Sequence, residues 1–270
     1  MDSEMNKSIK KLKLLLPIIV FLNFNTIGHT ETILILDSGH DPKFKGAISS
    51  CGTPEFELND NIVQLISKNK EIQTILTRNK NELPSVIDKN NFNNIESLKS
   101  RINISNQYQN NAIFISIHHD SVSERYLEFI TNLCGEFGGK KINDKFKKQF
   151  QIGFNIFLYE ENTDRYKKSL ILAKIIGAKL IAMGQIPSNY HYPTSDDCKS
   201  CRPLDINLGI WHQNLLVLRE NKIPALLIEV GNLMDPDDYK KITSETFKMN
   251  FGSLIIESIK EFNQYNQLKN

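Results

Sequence analysis

Apolar residues along this chain fall into short β-branched runs that alternate with stripes of helical period. Thr32-Ile33-Leu34-Ile35-Leu36, Ala112-Ile113-Phe114-Ile115-Ser116-Ile117 and Ala225-Leu226-Leu227-Ile228 are near-continuous apolar segments. Such runs suit strands covered on both faces of a parallel or mixed sheet. Ile72 to Arg78 predicts a further short strand, Gly153 to Tyr159 one of alternating character, and Leu215-Leu216-Val217-Leu218 another. Between them, Leu58, Ile62, Leu65 and Ile66 fall on one helical stripe, predicting a helix from Glu55 or Phe56 to Asn69. Helices are also predicted at about 95–109, 164–183 and 245–263, the last carrying Leu254, Ile255, Ile259 and Phe262. Segments 79–94 and 184–209 read as loops. Strands alternating with helices predict one α/β domain over 31–270, with a mostly parallel or mixed central sheet flanked by helices on both faces. Residues 121–152 break the alternation. Gly135, Gly138, Gly139 and a Lys-rich run mark them as an inserted flap with little core of its own. An autoinhibitory flap, a docking element for a regulatory protein partner and a passive insertion all fit that pattern.

The first 30 residues follow a different rule. Lys7, Lys10, Lys11 and Lys13 precede the apolar run Leu14 to Leu22, the order of a secretory signal peptide. That run is short for a membrane span. Residues 1–30 are therefore expected to be removed, leaving no stable membrane span and a periplasmic or otherwise secreted protein. The whole chain has 33 basic and 31 acidic residues; without this segment 29 of each remain, so the basic excess belongs to the leader. With no basic stripe and no interleaved aromatics, nucleic acid is not expected as a partner.

Export changes the reading of the cysteines. Cys51, Cys134, Cys198 and Cys201 are even in number, as two disulfides require. Cys198-Lys199-Ser200-Cys201 reads as a local disulfide, with Cys51 bonded to Cys134. Half of a zinc ribbon and a redox pair are the alternatives. A ribbon lacks its second close pair here, and turn formers (Pro193, Ser195, Asp196, Asp197, Pro203) surround the motif where a redox pair would open a helix.

Three of the apolar strands end in chemistry. The first runs into Asp37-Ser38-Gly39-His40, the second into His118-His119-Asp120, the third into Glu229-Val230-Gly231. Strand ends of an open α/β sheet are where ligands bind. Two His with a Glu from the loop or helix after the first strand, Glu55 or Glu57, would make a three-ligand zinc site. On spacing alone, solvated loop histidines or hydrogen-bonded core histidines are the better explanation.

The segments Ile33 to His40, Pro54-Glu55-Phe56-Glu57-Leu58-Asn59, Leu76-Thr77-Arg78, Phe114 to His118 and Pro224 to Gly231 occur in this order. Together they resemble the zinc-dependent N-acetylmuramoyl-L-alanine amidases, the type 3 family of cell-wall hydrolases, over roughly residues 32–265. The resemblance implies Zn2+ bound by His40, Glu55 and His118, with Glu229 catalytic. It implies hydrolysis of the amide between N-acetylmuramic acid and L-alanine in peptidoglycan. The rival expectations are a carboxypeptidase-like zinc peptidase acting on the stem peptide and a non-catalytic wall-binding or division-associated protein. Glu55, four residues before Asn59, has the family spacing; Glu57 reads as an exposed helical acid. His118 and His119 are neighbours on a strand and point to opposite faces, so His119 is read as a rim residue, with a substrate or supporting role as the alternative. Asp120 is a candidate acceptor for an imidazole. Arg78 and Arg101 are expected in structural ion pairs. His191, His212 and Trp211 lie outside the motifs. The family's usual Pro-Gly-His-Gly is here Ser38-Gly39-His40-Asp41, and its aromatic after Glu-x-Gly is here Asn232.

Overall fold

A computed structural model of the chain describes residues 32–85, 92–108, 111–191, 198 and 200–268. The leader predicted at 1–30 lies outside them. In chain order the elements are β1 (Ile33–Ser38), α1 (Glu55–Ser67), β2 (Thr74–Leu76), α2 (Asn94–Asn106), β3 (Ala112–Asp120), β4 (Leu127–Ile130), β5 (Gly139–Ile142) and α3 (Asp144–Gln149). Then come β6 (Asn155–Leu158), α4 (Asp164–Ala182), β7 (Arg202–Asp205), β8 (Ile210–His212), α5 (Leu216–Arg219), β9 (Ala225–Asn232), α6 (Pro236–Ile242) and α7 (Glu245–Gln267).

Among the described residues, seven strands form one sheet in the order β2-β1-β3-β9-β6-β8-β7. Pairing is parallel from β2 through β9, antiparallel between β9 and β6, parallel for β6 with β8, and antiparallel for β8 with β7. The twofold repeat of a strand sorts its side chains to two buried faces. Leu34, Leu36, Ile113, Ile115, Leu226 and Ile228 pack on one, with α1, α4, α6 and α7. Ile35, Phe114, Phe157, Trp211, Ala225 and Leu227 pack on the other, with α2 and α5. This is the predicted α/β sheet with helices on both sides. Side chains close most helix starts: Asn93, Thr163, Asp235 and Ser244 accept backbone N–H bonds from the first turns of α2, α4, α6 and α7.

Several expectations are corrected. Leu215 to Leu218 is not a strand: α5 begins at Leu216 and turns Val217 and Leu218 into the core. Four apolar residues carry no period long enough to separate strand from helix. The expected loop 184–209 contains β7 and a short 3-10 turn, and β8 follows with Trp211 fully buried in the packing of the sheet. Residues 121–152 are not without core. β4 and β5 pair as an antiparallel hairpin, and Ile142 and Phe146 are buried in the main cluster. A Cys51–Cys134 disulfide ties the hairpin tip to the loop after β1, and Cys198 is bonded to Cys201, both as expected.

Candidate active site

β1, β3 and β9 lie side by side and deliver their C-terminal ends to one rim. β1 stops at Ser38. The chain then passes through Gly39 into His40, which adopts left-handed backbone (φ 61°). Gly39 is there for space, since a Cβ would collide with the imidazole of His118. Gly46 (φ 73°) closes the same loop, and a Cβ on it would strike the Glu55 carboxylate.

A non-glycine residue at positive φ costs energy and persists only where its surroundings hold it. Here two buried arginines do so. Arg78 Nε donates to the His40 carbonyl at 2.8 Å, and Arg101 donates to the carbonyls of both Ser38 and His40. Arg78 in turn pairs with Asp60 (2.7 Å), and Arg101 with Asp37 (3.1 Å) and Asp41 (3.4 Å). The structural ion pairs expected for both arginines are present, and they fasten the loop that carries His40. Asp41, where the family has Gly, folds the next turn by accepting from the amides of Lys43 and Phe44, both at 2.9 Å. Burial opposes ionisation of Asp37, but Arg101 and the hydroxyls of Ser116 and Thr77 outweigh it and lower its pKa.

Glu55 opens α1 and is buried against this loop. Its Oε1 lies 3.0 Å from His118 Nδ1 and its Oε2 3.2 Å from His40 Nε2. The amides of Ala47 and His119 donate to the same carboxylate at 3.0 and 3.2 Å. Asn59 Nδ2 bonds the Gly39 carbonyl (2.9 Å), which accounts for the Glu-to-Asn spacing: both side chains of one helical turn face the His40 loop. Burial pushes the Glu55 pKa up, yet its bonds to His118 and His40 prevail and hold it well below the usual carboxylate range. Burial lowers His118 despite Glu55, favouring the neutral imidazole a metal requires. One ligand atom each from His40, Glu55 and His118 lies within 4.8 Å of the others. Two neutral imidazoles and one carboxylate are the donor set of a three-ligand catalytic zinc site, so the residues fit that metal. Glu57 is exposed, as expected.

Glu229 stands directly across from His118 in the β3–β9 register. Its Oε2 is buried with no hydrogen-bond partner among the described residues. Burial, and then the charges of Asp120 and Glu55, push its pKa well above the usual range. His40, His118 and Glu229 line one cleft of about 290 Å³, walled on its apolar side by Leu98, Leu215 and Leu227.

His119 corrects an expectation. It is not a rim residue: it is 2% exposed, turned to the other face, with Nδ1 2.7 Å from Asn59 Oδ1. Burial drives its pKa down to about 4. Asp120 does orient an imidazole, but that of His191, at 2.7 Å from Nε2; it also accepts from Asn155 Nδ2 at 3.0 Å. His212 is not among the residues that line the cleft and accepts from the Glu160 amide through Nδ1 (2.9 Å). Asn232 is buried and serves its own turn, accepting from the Met234 amide (2.9 Å). The His191 contact was invisible to motif reading, because 71 residues separate it from Asp120.

The fold has known counterparts. The family model described as N-acetylmuramoyl-L-alanine amidase, Amidase_3, matches residues 34–261. The probable N-acetylmuramoyl-L-alanine amidase AmiB of Haemophilus influenzae is 24% identical over 263 residues, 91% of this chain and 56% of that protein. The chain thus spans about half the length of that relative. Among solved structures, the N-acetylmuramoyl-L-alanine amidase from Clostridium difficile 630 superposes with a TM-score of 0.60 at 20% identity, covering 87% of this chain and 98% of that one. The CwlD amidase of Clostridioides difficile, solved in complex with the GerS lipoprotein, gives 0.57 at 19% identity, covering 87% and 100%. With the family model matched over most of its length, this chain belongs to the N-acetylmuramoyl-L-alanine amidase family, Amidase_3.

Proposed function

We propose that this chain is a zinc-dependent amidase that cuts the bond between the lactyl group of N-acetylmuramic acid and L-alanine in peptidoglycan. The observation that carries the reading is the pairing of Glu229 with His118 across β3 and β9, on the rim where His40, Glu55 and His118 converge. His40, Glu55 and His118 would hold the zinc. The metal would supply a Lewis acid for the scissile carbonyl and pull the pKa of a water toward about 7. The remaining work falls to the chain. Glu229, its pKa raised by burial, would take a proton from the attacking water and hand it to the departing alanine nitrogen. The apolar wall of Leu98, Leu215 and Leu227 would exclude bulk water from that exchange. Arg78 and Arg101 act through the His40 loop.

In this reading residues 1–30 are an export signal and the enzyme works outside the cytoplasm, in the periplasm or secreted. Two disulfides support that placement, and no helix among the described residues is long and apolar enough to cross a membrane. The test combines metal analysis with mass spectrometry of digested peptidoglycan. The parent protein should carry zinc and release stem peptides beginning with L-alanine. Glu229→Gln should keep the zinc and lose most turnover; His118→Ala should lose both. Shortened stem peptides still attached to glycan would overturn the amidase reading, and near-normal turnover by Glu229→Gln would overturn the assigned role.

A further inference from the structure

A second group of metal-competent donors lies outside the His40 cleft. One ring nitrogen of His191 and the sulfurs of Cys198 and Cys201 lie within 4.8 Å of one another, and all three residues are buried. The sulfurs are joined as a disulfide with Cα atoms 5.3 Å apart. We propose that, once this disulfide is reduced, Cys198, Cys201 and His191 form a second binding site, for a soft divalent cation such as Zn2+.

Three observations support it. His191 is 8% exposed, and its Nδ1 is buried without a hydrogen-bond partner among the described residues. A buried ring nitrogen left unpaired is unfavourable, and a cation would satisfy it. The opposite nitrogen, Nε2, is held by Asp120 at 2.7 Å. A carboxylate on one imidazole nitrogen places the proton there and turns the lone pair of the other outward, the arrangement that backs metal-binding histidines. Lastly, a pair of thiolates with two residues between them suits zinc and other soft cations. Metal–sulfur bonds of about 2.3 Å and metal–nitrogen bonds of about 2.0 Å place donors closer together than 4.8 Å but farther apart than bonded sulfurs. Side-chain rotation about the present Cα positions supplies that change.

The chemistry balances. A dithiol reductant breaks the Cys198–Cys201 bond and is itself oxidised to a disulfide, leaving two protein thiols. Binding of the cation then displaces two protons, and the thiolates become ligands. The site is thus closed by oxidation and opened by reduction. The amidase reaction proposed above uses none of these three residues.

The test uses the full chain carrying Cys51→Ser and Cys134→Ser, so that only one disulfide responds, with Co2+ as probe. After treatment with a phosphine reductant the chain should take up one more equivalent of Co2+ than the oxidised chain and show the near-ultraviolet thiolate-to-cobalt charge-transfer band. Cys198→Ser with Cys201→Ser should abolish both signals. His191→Gln should weaken the extra site about tenfold or more, and Asp120→Asn about 10- to 100-fold. His40→Ala should leave the band in place, which separates this site from the first. No band and no extra equivalent in the reduced chain would overturn the proposal, as would a band undiminished by His191→Gln. If the Cys51/Cys134 variant fails to fold, the parent chain compared with Cys198→Ser gives the same reading.

Discussion

Arg101→Met tests the view that a buried guanidinium, rather than the loop's own preference, holds His40 in its left-handed backbone. Arg101 is 1% exposed. It bridges two carboxylates, Asp37 and Asp41, and two carbonyls, Ser38 and His40. Methionine fills similar volume and offers no donor. The substitution therefore leaves buried acceptors facing an apolar side chain. Removing one partner of a buried ion pair costs about 3–5 kcal/mol, because the other charge stays behind unpaired. In a domain of this size 1 kcal/mol corresponds to roughly 2–4 °C in Tm, so the variant should melt about 6–20 °C lower. Arg101→Lys should recover part of this, since an ammonium keeps the charge but cannot span all four acceptors. Urea unfolding followed by circular dichroism gives the free energies, and zinc titration of the folded variant reports the His40 loop. Zinc affinity should fall along with stability. A loss below about 1 kcal/mol, with zinc affinity unchanged, would refute the clamp.

Two further outcomes follow from the same geometry. In the metal-free protein the raised pKa of Glu229 keeps its proton on the folded chain to higher pH than on the unfolded chain, whose glutamates titrate near about 4.3. Stability is therefore lost as pH rises from that value through the folded pKa. Glu229→Gln removes this loss and should stabilise the apoprotein at about pH 7 but not at about pH 4, by about 1.4 kcal/mol for each unit of elevation; equal effects at both pH values in chemical melts would contradict it. The Cys51–Cys134 disulfide spans 83 residues, so the chain-entropy relation gives about 4.5 kcal/mol. Cys51→Ala with Cys134→Ala should lower the urea midpoint accordingly, and an unchanged midpoint would show that the hairpin is held by its burial alone.

What the sequence revealed, and what it hid, follow from range. Ile33 to Leu36, Ala112 to Ile117 and Ala225 to Ile228 are legible because strands buried on both faces are apolar throughout, and their polar ends mark the rim. The proximity of Glu55 to His40 and His118 was implied by motif order rather than by spacing. The short elements β7, β8 and α5 span three or four residues, too few to show a period. α6 was missed although Asp235-Pro236 announces it, an N-cap followed by a first-turn proline. His119 was misplaced because alternation gives the face a side chain takes but not what waits there; Asn59 on α1 turns that face into a hydrogen-bonded interior.

The position of β9 bears on when the chain assembles its cleft. Glu229 is contributed by a strand that inserts between β3 and β6, more than a hundred residues after His118 has been synthesised. A nascent chain that ends before β9 lacks both Glu229 and the centre of the sheet. The rim that gathers His40, Glu55, His118 and Glu229 is thereby complete only once β9 has been made, so a chain truncated before it presents at most three of the four.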